Sequence, residues 1–134
     1  MKPPTETVRV GKQAKDQLIK LKRQTGIENW NILCRWALAA SLREAISPPP
    51  FHQKLEGGIE MTWKIFAGDL SEIFILLIRH RMRADGFRDT EEDASACFRA
   101  HLHRGLAYLS SGKETKSLSY LVQRSFFLHK SESN

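Results

Sequence analysis

Four groupings in the sequence carry residue types that could do chemistry. His101 and His103 form a His-x-His, a spacing that invites a metal ion. The segment around them reads as a helix, and on a helix two residues apart point roughly 200° from each other, so the pair cannot share one ion. His101 falls on the apolar face beside Phe98 and Leu102, where a core histidine is the expectation. Cys34 and Cys97 both sit in apolar helical surroundings without a metal-type neighbour, and they read as buried thiols. The acidic run from Asp89 to Asp93 fits a helix start favoured by the macrodipole better than a cation site. The chain has no glycine-rich phosphate loop, no Gly-x-Ser-x-Gly and no Cys-x-x-Cys. No Ser/His/Asp set can be named from the sequence. The expectation is a protein that is not an enzyme, with no catalytic residue, no metal and no cofactor.

The fourth grouping is electrostatic. Residues 1–35 hold eight basic side chains (Lys2, Arg9, Lys12, Lys15, Lys20, Lys22, Arg23 and Arg35) against three acids (Glu6, Asp16 and Glu28), leaving +5 of the chain's formal +6. On a wheel of about 100° per residue, Ala14, Leu18 and Leu21 mark the buried centre of a helix. Lys15 and Lys22 then lie side by side on one flank. Lys12 and Arg23 continue the arc around the back with Ile19 among them, and Lys20 lies on the other flank near Gln13. A solvated face usually mixes signs, and here only Asp16 opposes the cations. Such a rim suits phosphates, which position a protein without being read as sequence.

The elements that position this rim follow from periodicity and punctuation. Thr5 to Val10 alternates as a short strand, with Thr5, Thr7 and Arg9 on one face and Glu6, Val8 and Val10 on the other. Lys12 to Gln24 reads as a helix closed by Gly26, with Ile27 folding back on Leu21. Asn29 or Asn31 caps a second helix running to about Ala45, with Leu33, Trp36, Ala37 and Ala40 as its stripe. Its first amides would face any nearby anion. Pro48-Pro49-Pro50 stops it, and a connector follows to residue 60.

Met61 to Phe66 reads as extended. Asp69 and Glu72 resemble a capping box that opens a third helix. Its interior, Ile73 to Ile78, is apolar nearly all round, more than so small a domain can surround, and it implies a protein–protein interface. Gly86 ends this helix. Thr90 and Asp93 open a fourth that runs to about Leu109, with Ala94, Phe98, Leu102 and Leu106 on one face. The basic knot Arg79-His80-Arg81-Met82-Arg83 closes the third helix. After Gly112, Leu118, Leu121 and Val122 form one amphipathic piece ahead of a frayed end.

At 134 residues, with 41% hydrophobic and 27% charged, the chain fits one globular domain. Its first six residues lack the apolar region of a signal peptide, and six consecutive apolar residues cannot span a bilayer. A cytoplasmic protein without membrane contact is expected. The organisation expected for residues 1–134 is a single domain: a basic hairpin over 1–46, a connector over 47–60, a helical core over 61–112 and a terminal segment over 113–134.

Strand, basic helix, tight turn and second helix occur in the order of a ribbon-helix-helix DNA-binding module, in which two chains pair their strands. In such a module Thr5, Thr7 and Arg9 would face a groove. The run "TVRVGKQAKDQLIKLKRQTGIENWNILCRWAL", followed by "MTWKIFAGD" and "HLHRGLAYL", resembles the DndE family of the bacterial DNA sulfur-modification (phosphorothioation) system. The resemblance implies a mainly α fold: a ribbon-helix-helix-like N-terminal hairpin with additional helices in an oligomeric helical bundle, assembled as a homotetramer. It implies work beside a cysteine desulfurase, a sulfur-transfer subunit and an ATPase-like subunit, in a pathway that replaces a non-bridging phosphate oxygen by sulfur. It also implies binding of duplex DNA, preferentially nicked, through surface lysines, a role that falls here on Lys12, Lys15, Lys20, Lys22 and Arg23. Two other readings stand beside it: a ribbon-helix-helix transcriptional repressor that reads bases through Arg9, and a scaffold subunit of the modification complex whose basic arc meets an acidic protein surface.

Overall fold

The computed structural model describes residues 2–111. Strand β1 (Thr7–Val10) leads into helix α1 (Lys12–Thr25) and helix α2 (Trp30–Leu42). Strand β2 (Ile59–Thr62) follows, then a short helix α3 (Trp63–Ala67). A single 3-10 turn over Gly68–Leu70 passes into α4 (Ser71–Ala84), and α5 (Glu91–Ser110) is the longest element. The fold is mainly helical with one two-stranded antiparallel sheet.

The alternation in β1 is realised: Val8 and Val10 are buried while Thr7 and Arg9 are exposed. Its pairing is not that of a ribbon-helix-helix. β1 takes β2 of the same chain as its antiparallel neighbour, with Thr7 opposite Thr62 and Arg9 opposite Glu60. Arg9 is bound to Glu60 at 2.8 Å. The residues called extended, Met61 to Phe66, divide at Thr62, whose hydroxyl accepts from the Ile65 amide at 3.2 Å and starts α3. The strand therefore lies earlier than its composition suggested, over Ile59–Thr62.

Helix α1 buries Ala14, Leu18 and Leu21, the stripe its spacing dictates. It stops at Gly26, whose φ of 76° is the left-handed value that glycine adopts without steric cost. The Gly26 amide donates to the Lys22 carbonyl at 3.0 Å, and Ile27 packs on the core.

Helix α2 ends at Leu42, three residues short of the expected Ala45, and the reason is visible at its C-terminus. The last carbonyls of a helix lack intrahelical donors. Here Arg104 donates to the Ser41 carbonyl at 2.8 Å and Arg81 to the Leu42 carbonyl at 3.0 Å. Arg81 also reaches the Ile46 carbonyl at 3.0 Å. Guanidinium groups replace the amides that a longer helix would have supplied.

The capping box expected at Asp69 and Glu72 does not form. The chain is already helical at Ala67, so Asp69 lies inside the 3-10 turn, and Leu70 precedes α4 without a side-chain cap. At α5 the expectation holds: the Thr90 hydroxyl accepts from the Asp93 amide at 3.1 Å, and Glu91, Glu92 and Asp93 fill the first turn. The Asp93 carboxylate reaches back to the Arg88 amide at 2.7 Å.

The core is built on the packing of α2 against α5, with α1 and α4 also packed on α5 and α3 packed on α2. Leu18, Leu21, Leu33, Leu38, Phe66, Ile78, Leu102 and Leu106 are fully buried, each contributing about 1.5–3 kcal/mol relative to exposure. Trp63, Phe66, Phe74 and Phe98 form an aromatic cluster with centroid separations of 5.1–5.4 Å. Cys34 and Cys97 are both buried, as their setting implied. The amphipathic piece at Leu118, Leu121 and Val122 lies outside the described residues. Among those residues no helix is long and apolar enough to cross a membrane.

α5 crosses α2 at Gly105. A Cβ there would stand 1.7 Å from the Ala37 carbonyl oxygen and 2.4 Å from its carbon, so the two helices touch backbone to backbone. Gly105→Ala must force them apart. It is expected to lower stability by about 3 kcal/mol, the upper range of an overpacked core, read as a shift in the chemical denaturation midpoint at unchanged m-value.

Candidate nucleic-acid interface

The five cations singled out in the sequence do not all have the same freedom. Lys12, Lys20 and Arg23 are exposed, while Lys15 and Lys22 are half-buried beside the stripe that holds α1 down. The Lys22 ammonium stands 4.8 Å from the centre of the Trp30 ring. Trp30 is the first residue of α2, so this cation–π contact fixes Lys22 at the corner where α1 ends and α2 begins. Asn29, the cap of α2, makes no side-chain cap bond. Lys22 and the first amides of α2 therefore share one corner, and both favour an anion.

Lys20, on the opposite flank, donates to the Ser110 carbonyl at 2.8 Å and so fastens α1 to the end of α5. Among the described residues no carboxylate lies within salt-bridge distance of any of the five. The arc Lys15–Lys22–Arg23–Lys12 stays on one side of α1, with exposed Ile19 among the cations.

Trp30 was missed in the sequence. It stands outside the α2 stripe, and nothing local signals that it would lie under a lysine from the preceding helix. The knot at 79–83 also divides: Arg79, His80 and Arg83 are exposed, whereas Arg81 is buried and serves α2.

A second constellation lies inside the protein. The Asp85 carboxylate, 1% exposed, accepts from the Arg81 Nε at 3.0 Å, from the Ser47 hydroxyl at 2.7 Å and from His101 Nε2 at 2.8 Å. With Nε2 donating to a carboxylate, His101 Nδ1 accepts from the Ser41 hydroxyl at 2.8 Å. Arg104 Nε donates to the same Ser41 oxygen at 2.8 Å. Serine, histidine and aspartate thus stand in sequence, but Ser41 and His101 have no exposure and the serine oxygen is already engaged by a guanidinium. The set carries polar bonds for α2 and offers a substrate no approach.

Cys97 brings a third metal-type donor to Asp85 and His101, all within 4.8 Å of one another. Asp85 and His101 are spent on each other and on Arg81. Burial pushes the Cys97 thiol up to about 12, and the neighbouring Asp85 charge acts in the same direction. Cys34 is likewise pushed up to about 12 by burial. Neither thiol is a thiolate near neutral pH. In this setting His101 is the core histidine its apolar face implied.

His103 holds a different junction. Its Nε2 accepts from the Gly11 amide at 3.3 Å, so its Nδ1 donates to the Arg99 carbonyl at 2.8 Å. Its ring stacks on Phe51 of the connector at 3.7 Å. Gly11 immediately precedes the basic helix, so this imidazole ties α1 to α5.

Burial holds both imidazoles below their ordinary value of 6.5, against the opposing pull of Asp85 on His101 and of the Arg99 carbonyl on His103. For Asp85, burial alone would raise the carboxyl. The hydrogen bonds from His101, Ser47 and Arg81 outweigh it and hold the group below 3.8. The fold thus prefers neutral imidazoles, and below pH 6.5 the unfolded chain binds more protons than the native one. Stability is complete above that value, falls as pH drops beneath it, and falls further once Asp85 protonates below 3.8. Thermal unfolding is expected to give a level Tm above about pH 7 and a decline on acidification, shallower in His103→Gln than in the wild-type protein.

Comparison with known proteins places these features in a family. The model of the DNA sulphur modification protein DndE matches residues 7–117. A crystal structure of DndE from Escherichia coli B7A, involved in DNA phosphorothioation modification, is 23% identical. It superposes with a TM-score of 0.61 over 78% of this chain and 97% of that one. A DndE mutant with lysine in place of two glycines, involved in DNA phosphorothioation, is 22% identical. Its TM-score is 0.62 over 78% of this chain and 96% of that one. No curated protein matches the sequence. The two structures establish the likeness of fold. The family match spans most of the chain, from β1 to beyond α5, and on that ground the chain belongs to the DndE family of DNA sulphur modification proteins.

Proposed function

We propose that this chain is the DNA-binding accessory subunit of a DNA phosphorothioation system, that it holds duplex and nicked DNA through the α1 cations, and that it carries no catalysis of its own. The observation that carries the proposal is the cationic arc of Lys12, Lys15, Lys22 and Arg23, which no carboxylate among the described residues balances. A row of such cations contacts phosphates without reading bases. Lys20 extends the basic surface on the opposite flank while also tying α1 to α5. A nick adds flexibility and phosphate access at the same electrostatic surface, which suits recognition by charge.

The repressor reading loses its instrument, because Arg9 is engaged by Glu60 and β1 is paired within its own chain. The absence of catalysis rests on two thiols shielded from exchange and on a buried serine bound to Arg104. The remaining parts of the proposal are association with the other modification subunits, assembly as a homotetramer and action in the cytoplasm. The exposed apolar side of α4 supports the assembly. The scaffold reading keeps the same arc but turns it towards an acidic protein.

The test is a binding titration of intact and nicked duplex at several salt concentrations. Lys15→Gln with Lys22→Gln is expected to weaken binding and to reduce the slope of log Kobs against log salt by roughly 2, at about 0.9 per phosphate contact. An unchanged slope removes these two positions from the interface. A wild-type protein that captures modification subunits yet binds neither duplex favours the scaffold.

A further inference from the structure

Helix α4 has two unlike faces. Phe74, Ile75, Ile78 and Met82 are buried in the core, but Ile73, Leu76 and Leu77 remain 55%, 56% and 44% exposed. Leu70, just before the helix, is also exposed. Three large apolar side chains on adjacent turns form one open patch, and such a patch marks a contact surface. The charges around it are sorted along the helix. Glu72 stands in the first turn, while Arg79 and Arg83 stand towards the other end. At about 100° per residue these three fall within roughly 40° of arc, on one flank of the apolar patch. Among the described residues none of the three has an ion pair within the chain.

We infer that this face of α4 pairs with α4 of a second copy of the chain, antiparallel about a two-fold axis that passes between Leu76 and Leu77. The inference rests on the proposed assembly of the subunit and names its contact. A two-fold axis perpendicular to both helices keeps each flank on the same side while reversing the direction along the helix. With a rise of about 1.5 Å per residue, Glu72 lies about 7 Å before the axis. Arg79 and Arg83 lie about 4 Å and about 10 Å beyond it. Reversal therefore sets Glu72 between the partner's Arg79 and the partner's Arg83, and the symmetry repeats the arrangement with the roles exchanged. Near the axis Leu76 meets the partner's Leu76 on the charged side of the seam, and Leu77 meets the partner's Leu77 on the other side. A parallel pair, whose two-fold axis runs along the helices, would instead carry the two charged flanks to opposite sides of the seam and leave Glu72 with neither arginine of its partner beside it. The order of charges along this flank thus selects a second copy, and selects its direction.

Sedimentation equilibrium of the full-length protein over a concentration series tests the contact. Glu72→Arg alone and Arg79→Glu with Arg83→Glu are each expected to weaken self-association about tenfold, because each turns attraction into repulsion at two symmetric places. The triple variant Glu72→Arg, Arg79→Glu, Arg83→Glu exchanges the signs within one chain, and it should recover wild-type association. Recovery also shows that the single changes did not act by unfolding. A wild-type protein that stays monomeric overturns the contact, as does self-association indifferent to Glu72→Arg or a triple variant no stronger than Glu72→Arg. DNA affinity is measured separately on the same proteins. An assembling protein that ignores DNA counts against the binding role and leaves this contact standing, and a monomer that binds DNA does the reverse.

Discussion

The contact on which the rest depends is the backbone-to-backbone approach of α5 and α2 at Gly105 and Ala37. Only a residue without a side chain lets the helices come so near. Once they do, the residues of α5 in the turn leading up to the crossing arrive opposite the end of α2. His101 and Arg104 meet Ser41, and Arg81 and Asp85 join them from the end of α4. A buried network of this kind is tolerable only when every member is satisfied, since an unpaired polar group in the interior costs about 1–3 kcal/mol. Among the described residues no buried side-chain polar atom lacks a partner. The close crossing and the satisfied network therefore stand or fall together: separating the helices by a methyl group would also stretch the bonds that terminate α2.

The basic helix is held by different means at three points. Leu18 and Leu21 press its inner face into the core. Gly11, before its first turn, is bound by His103, and Lys20 is bound to the end of α5. These anchors restrain the helix on its inner and Lys20 sides and leave the arc from Lys15 round to Lys12 at its border with solvent. Lys22 gains orientation from the Trp30 ring without losing its charge. A cation held over an aromatic face has already given up part of its freedom, and that lowers the entropy cost of meeting a phosphate.

Much of this was legible in the sequence, and what was not has definite causes. The α1 stripe, the stop at Gly26, the cap at Thr90, the burial of both cysteines and the core position of His101 all follow from spacing and local chemistry. The early end of α2 was hidden because Arg81 and Arg104, distant in sequence, supply its terminal bonds. The pairing of β1 was hidden because strand partners are non-local. A short alternating strand before a basic helix reads the same whether its neighbour comes from another chain or from β2. The capping box at Asp69 failed because α3 and the 3-10 turn already carry the chain into α4. Of the candidate interface, charge and sidedness could be read. The aromatic support of Lys22 and the tether of Lys20 required the tertiary structure.

The sealed sulfur atoms of Cys34 and Cys97 have a consequence for a member of a DNA sulphur modification family. Sulfane sulfur passes between proteins by nucleophilic attack of a thiolate, and a thiol that is both sterically enclosed and strongly basic neither receives it nor gives it away. A persulfide brought up to the folded chain would find neither of these sulfurs open to it.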